Sequence, residues 1–148
     1  MNNIIKFEFL EPPRSKQRPR MGWNKKKQER VVYTPQPTRS YEDRLSFQVG
    51  QMMYLNGLRR FKKDISLECT IYAYYDIPAS TSNAKRLLMK SGKILPTKKP
   101  DADNVQKIIF DALNGICYED DSQICDVIFR KRYGTIPKIS VTIKEIET

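Results

Sequence analysis

The sequence predicts one α+β domain over residues 1–148, with helices packed on a mostly antiparallel or mixed sheet of four to five strands. Three observations carry this prediction. A long stretch from Ile65 to Ile77 alternates apolar and polar residues with period two. Two other stretches repeat apolar residues with a helical period. Strands and helices follow one another in mixed order, without the regular alternation of a parallel βαβ fold. A chain of 148 residues buries roughly two thirds of the surface it exposes when unfolded, enough for a single core. No repeat or linker divides it.

The strands are predicted first from alternation. In the clearest one, Ile65, Leu67, Cys69, Ile71, Ala73, Tyr75 and Ile77 form one face, interleaved with Ser66, Glu68, Thr70, Tyr72, Tyr74 and Asp76. Shorter alternations occur at Ile5, Phe7 and Phe9, at Cys125, Val127 and Phe129, and at Ile139, Val141 and Ile143. Val31 to Tyr33 supply a fifth candidate. A helix is expected over Tyr41, Leu45, Val49, Met52 and Met53, after the cap-like Thr38 and Ser40, with Gly57 ending it. A second follows Asp103, where Val105, Ile108, Ile109, Ala112 and Leu113 keep the i, i+3, i+4 rule and Asn114-Gly115 supplies a stop. A short helix is expected around Ala84 to Lys90.

Charge narrows the function. The chain carries 27 Lys and Arg against 17 Asp and Glu, and a net charge of +10 attracts polyanions such as nucleic acid. The acids are concentrated: residues 101–126 hold seven of them and one base, Lys107. Carboxylates set against phosphate repel it unless a cation lies between them, so an acidic spot in a basic field points to metal-assisted chemistry. There is no histidine, which excludes histidine bases, histidine ligands and serine-histidine or cysteine-histidine nucleophile pairs. Cys69, Cys117 and Cys125 match neither a zinc ribbon nor a disulfide framework and read as buried free thiols. No apolar run is long enough to span a bilayer, and no signal-peptide pattern opens the chain, so a cytoplasmic protein without membrane contact is expected.

Asp101 and Asp103 stand two residues apart just before a helix and can converge on one point, although a helix N-cap would account for one of them. Asp103, Lys107 and Asp111 fall on one helical stripe, which alone could be a solvated face of i,i+4 ion pairs. After the Asn114-Gly115 turn come Glu119, Asp120 and Asp121, and a short connection can fold them back towards the helix start. A hard divalent ion takes such oxygen ligands, activates water and clamps a phosphate. A lysine beside it offsets charge developing on that phosphate.

From Lys99 to Ile124 the chain reads KPDADNVQKIIFDALNGICYEDDSQI. This resembles the signature of the RusA family of Holliday junction resolvases: a Lys-Pro-Asp-x-Asp-Asn opening, a lysine three residues after that asparagine, an Asp-Ala-Leu-Asn-Gly helix end and an Asp-Asp-x-Gln-Ile close. Lys16 to Arg20 and Val32 to Pro35 resemble the family's N-terminal pattern, and Val105 replaces a common leucine. The resemblance implies a small α/β dimer, metal-binding Asp101, Asp103 and Asp121, and an active-site Lys107. It favours Asp121 over Asp120, which with Asp111 is left as possible support.

These readings together predict a magnesium-dependent endonuclease, with manganese able to substitute, that cuts four-way or other branched DNA as a homodimer. The DNA-binding candidates are Arg14, Lys16, Arg18, Arg20, Lys25, Lys26, Lys27, Lys98 and Lys99, with Trp23 as a candidate wedge. The two-fold symmetry of a four-way junction matches a C2 dimer with two active sites, while the sequence does not locate its surface. Two rivals stand beside this reading: a broader nuclease for flaps and branches, and a non-catalytic DNA-binding module whose acids are only caps and solvated charges.

Overall fold

A computed structural model describes residues 3–16 and 20–147. The main sheet has four strands: β1 (Ile4–Phe9), then β4 (Leu67–Asp76), β5 (Ile124–Gly134) and β6 (Lys138–Glu145), with β2 (Arg20–Asn24) and β3 (Glu29–Tyr33) forming a separate hairpin. The spatial order is β1-β6-β4-β5. β6 pairs antiparallel with both β1 and β4, whereas β4 and β5 run parallel, so the sheet is mixed. A parallel pair needs a long crossover. Here the crossover contains helices α2 (Asn83–Lys90) and α3 (Ala102–Leu113); α1 (Gln36–Leu55) precedes β4.

Alternation does what the sequence requires of it in the central strands. Leu67, Cys69, Ile71 and Ala73 of β4 and Ile139, Val141 and Ile143 of β6 are fully buried on the inner face, joined by Ile5, Phe7 and Phe9 of β1. α3 covers this face with Val105, Ile108, Ile109 and Leu113, all fully buried, and α1 adds Tyr41, Leu45, Val49 and Met53. Burying each such aliphatic side chain contributes about 1.5–3 kcal/mol, so a charge at Ile109 would detach α3 from the sheet. The helix that carries the acidic stripe is thereby fixed to the core by its opposite face.

Several sequence expectations shift. α1 begins at Gln36 with Pro35 in the cap position, so Thr38 lies buried inside the helix and does not cap it; proline suits this start because the first N–H groups have no helical partner. Gly57, at φ 64°, ends the helix as predicted. Val31 to Tyr33 form a strand, but in the hairpin with β2 and not in the main sheet. Cys125 is exposed, unlike Cys69 and Cys117. β5 is an edge strand, and its register with β4 slips between Leu67 and Glu68, which breaks the alternation opposite Cys125. Among the described residues no helix is long and apolar enough to cross a membrane.

Candidate active site

α3 starts where the chain leaves Pro100. Asp101 occupies its N-cap position with extended backbone, φ −70° and ψ 152°, and its main-chain carbonyl accepts the first helical hydrogen bond from Val105 at 3.1 Å. Its carboxylate makes no capping bond. The capping explanation for this aspartate therefore does not hold, and both it and Asp103, at the start of the helix, present exposed carboxylates. Lys107 is exposed on the next turn and has no ion-pair partner among the described residues. The i,i+4 pairs that a plain solvated face would form between Lys107 and Asp103 or Asp111 are absent among those residues.

Asp111 is engaged from another direction. Lys16 bonds its carboxylate and lies 3.2 Å from Glu42 of α1, closing a bridge between the N-terminal segment, α1 and α3. Burial lowers the affinity of Lys16 for its proton, but the bonds to Asp111 and Glu42 outweigh it and raise the pKa. Burial raises that of Glu42 despite the same lysine. Lys16, expected on the DNA surface, is thus held in an internal ion pair. The segment before it is pinned as well: Arg44 grips Glu11 through two bonds of 2.7 Å, the Tyr41 hydroxyl donates to the Pro12 carbonyl at 2.9 Å, and Arg14 lies over the Tyr41 ring at 5.6 Å.

The Asp120-Asp121 doublet is divided by a short 3-10 turn, Asp121–Gln123. Asp120 caps it, accepting the Ser122 N–H at 3.1 Å, and Ser122 holds the Asp120 pKa low. Gln123 anchors the turn. Its side-chain oxygen accepts from the N–H groups of Glu119 (2.9 Å) and Asp120 (3.2 Å), while its amide donates to the carbonyls of Lys62 (2.7 Å) and Ile65 (3.1 Å). The Asp121 N–H donates to the Asn114 side chain at 3.0 Å, which ties this turn to the end of α3. Its carboxylate is left without a structural partner among the described side chains. Partial burial, then Asp120 and Asp111, raise the Asp121 pKa. One aspartate of the pair is therefore used as a cap and the other is available.

The acids lie along α3 and do not converge at its start. At about 1.5 Å rise per residue, Asp111 stands about 12 Å along the axis from Asp103, and Asp121 stands beside Asp111 and Asn114. Among the described residues no three acidic side chains are grouped closely enough to hold one ion. The donor chemistry of Asp101 and Asp103 still fits a hard divalent cation: both are exposed at the start of α3, one turn before Lys107, while Asp121 lies near the other end of the helix.

Sequence reasoning missed a group on the approach to Asp101. Tyr75, at the end of β4, donates its hydroxyl to the Pro100 carbonyl, and burial, then Asp101, push its pKa up to about 12. Lys131 of β5 lies over the Tyr75 ring at 4.8 Å and donates to the Lys98 carbonyl at 2.6 Å; Lys98 in turn lies over Tyr133 at 5.6 Å. The change of the inward side of β5 from Phe129 to Lys131 and Tyr133 was the available signal. Lys98 and Lys99 are exposed just before the site. Arg20 and Lys25 to Lys27 are exposed on the β2–β3 hairpin, whose turn is held by Asn24 accepting from the N–H groups of Lys26 and Lys27 at 3.0 and 3.1 Å. Trp23 on the same hairpin is 60% exposed. Arg18 lies outside the described residues.

The family model of endodeoxyribonuclease RusA matches residues 11–144, nearly the whole chain. The chain belongs to the RusA family. The match includes the pinned N-terminal segment, the hairpin, α3 and the anchored turn, so the RusA family pattern extends over every element of the site. YqaN of Bacillus subtilis (strain 168), described as an uncharacterized protein, is 41% identical over 78 residues, 51% of this chain and 55% of that protein. The match spans about half the length of this relative.

Proposed function

We propose that this protein is a magnesium-dependent endodeoxyribonuclease that resolves four-way DNA junctions by paired, symmetric nicks in recombination and repair, acting as a homodimer. The observation that carries this reading is the pair of exposed carboxylates on Asp101, which makes no capping bond, and Asp103, one turn before a Lys107 that has no ion-pair partner among the described residues, in a chain of the RusA family. A fold-retaining binder would have no reason to leave Asp101 and Asp103 exposed together beside the approach formed by Lys98 and Lys99.

Asp101 and Asp103 would hold the cation at the start of α3, with manganese able to replace magnesium, and Asp121 would complete the set only if its turn closes on that end of the helix from its position beside Asn114. When bound, a divalent ion there polarises the phosphate and activates water. Lys107 donates its ammonium to the phosphate oxygens as charge builds on them, a contribution comparable to a preorganised donor worth roughly 10²- to 10³-fold in rate. Lys98 and Lys99 receive the strand entering beside Asp101. Arg14, Arg20 and Lys25 to Lys27, with Arg18, would contact phosphates of the flanking arms, and the exposed Trp23 would lie against a base at the branch.

Incubation of a labelled four-way junction with the protein, with and without magnesium and beside Asp103→Asn, tests this. Symmetric paired nicks that need the metal and disappear in the variant are expected. Cuts scattered over flaps and single strands would replace junction resolution with a broader branched-DNA nuclease. Tight binding without cutting under any divalent metal would overturn the catalytic reading.

A further inference from the structure

The face of α1 turned away from the core is apolar over its C-terminal half, with Asp43 as the one charge at its N-terminal margin among the described residues. Residues 45–58 contain no Asp, Glu, Lys or Arg in a chain that is 30% charged, yet much of this stretch is open to solvent. Phe47 is 69% exposed and Tyr54 85%. They flank a shallow groove of about 590 Å³ whose lining includes Gly50 and Ile116, with Asp43 at one end. Gly50 is unexplained by the chain itself: it sits inside a helix, where glycine lowers stability, and a Cβ there would meet only the Ile116 side chain at an ordinary 4.0 Å. Glycine at such a point suits the close approach of another helix.

We infer that this face of α1 is the homodimer surface, packed antiparallel against α1 of a second copy about a two-fold axis passing between Gly50 and Gln51. The residues are self-complementary about that axis. It sets Phe47 against Tyr54 of the partner subunit and Gly50 against Gln51 of the partner subunit, so each aromatic finds an aromatic and the small residue falls where the helices cross. Charge selects the occupant: two copies of net charge +10 repel at every basic surface, and DNA has no cation to meet here. Phe47 and Tyr54 together offer about 300 Å² per protomer, a substantial core for the roughly 800 Å² per partner of a standard interface.

The arrangement also suits the proposed chemistry. α3 flanks α1 on the side of Ser46, whose hydroxyl donates to the Ala112 carbonyl at 2.5 Å. A two-fold axis perpendicular to both α1 helices keeps displacement along itself unchanged, so both α3 helices would lie on one side of the dimer. Three helix spacings of about 8–10 Å put the two acidic stripes within about 30 Å of each other. This inference rests on the dimer of the proposed function and is tested apart from catalysis.

Sedimentation velocity on the full chain, Phe47→Glu and Phe47→Glu/Tyr54→Lys provides the test, with circular dichroism to confirm folding. Because both side chains are exposed, the variants should fold. The wild type is expected to be dimeric and Phe47→Glu to raise the dimer dissociation constant at least 100-fold. The double variant should return to within about tenfold of wild type, because the axis sets each introduced carboxylate against the introduced ammonium of the other protomer. A dimer that survives Phe47→Glu, or a folded double variant that remains monomeric, refutes this surface and axis and leaves the nuclease reading untouched. A wild-type monomer refutes both the surface and the dimer.

Discussion

Replacing Gln123 by alanine should release the turn that presents Asp121. The side chain is 7% exposed and makes four hydrogen bonds, two accepted from Glu119 and Asp120 and two donated to Lys62 and Ile65. At about 1 kcal/mol each the sum is about 4 kcal/mol. Glu119 and Asp120 are exposed, so their N–H groups can turn to water, which leaves about 2–3 kcal/mol. Urea unfolding followed by circular dichroism measures this, and the same loss corresponds to a fall in Tm of about 4–12 °C for a domain of this size. Gln123→Glu sharpens the test: a carboxylate keeps the accepting side but cannot donate to the two carbonyls, and it buries a charge. It should be at least as unstable as alanine at pH 7. A loss below about 1 kcal/mol for alanine, or wild-type stability for Gln123→Glu, would refute the anchoring role.

Other outcomes follow from the site. Lys107→Met should lower the single-turnover cleavage rate roughly 10²- to 10³-fold while gel-shift affinity for the junction changes little; parallel losses in both would make it a binding lysine. Chelation with EDTA should stop cutting without unfolding the protein, read by cleavage and circular dichroism on the same sample, because the core is built from apolar side chains and uses no metal-dependent element. If some 6 to 10 phosphates are contacted, affinity should fall roughly 10³- to 10⁵-fold between 50 and 200 mM salt in filter binding, and replacing Lys25, Lys26 and Lys27 by serine should reduce the logarithmic salt slope by about three. Lys16→Met should destabilise the fold by about 1–3 kcal/mol in urea titrations, because it leaves Asp111 and Glu42 facing one another; a neutral effect would show the bridge to be incidental.

How far the sequence could be read depended on the range of the interaction. Period-two alternation located β4 and β6 because both strands are central, with one face fully buried. It misjudged Cys125, because an edge strand with a slipped register obeys the rule only in part. Val31 to Tyr33 were read as a strand, but β2 and its pairing with that strand escaped because Met21, Trp23, Val32 and Tyr33 are exposed and leave no buried stripe to recognise. α3 and its acids were legible from helical spacing. The bridge from Lys16 to Asp111 spans 95 positions and has no local signature. Gln123 had one: Asp120 followed three residues later by a glutamine is a capping-box pattern, which is what the turn forms.

The outer edge of the sheet has a consequence for handling the protein. β5 has no strand beside it on one side among the described residues, and such an edge is the kind of template on which chains stack into aggregates. Its second half carries Arg130, Lys131 and Arg132, but its first half is Cys125, Val127 and Ile128 interrupted only by Asp126. Protection against strand-to-strand growth is thus mainly repulsive and extends over a Debye length of about 10 Å at 0.1 M salt, shrinking to about 3 Å at 1 M. High salt, used to strip bound DNA during purification, would weaken that protection, and the exposed Cys125 thiol would then be positioned to lock such contacts by oxidation.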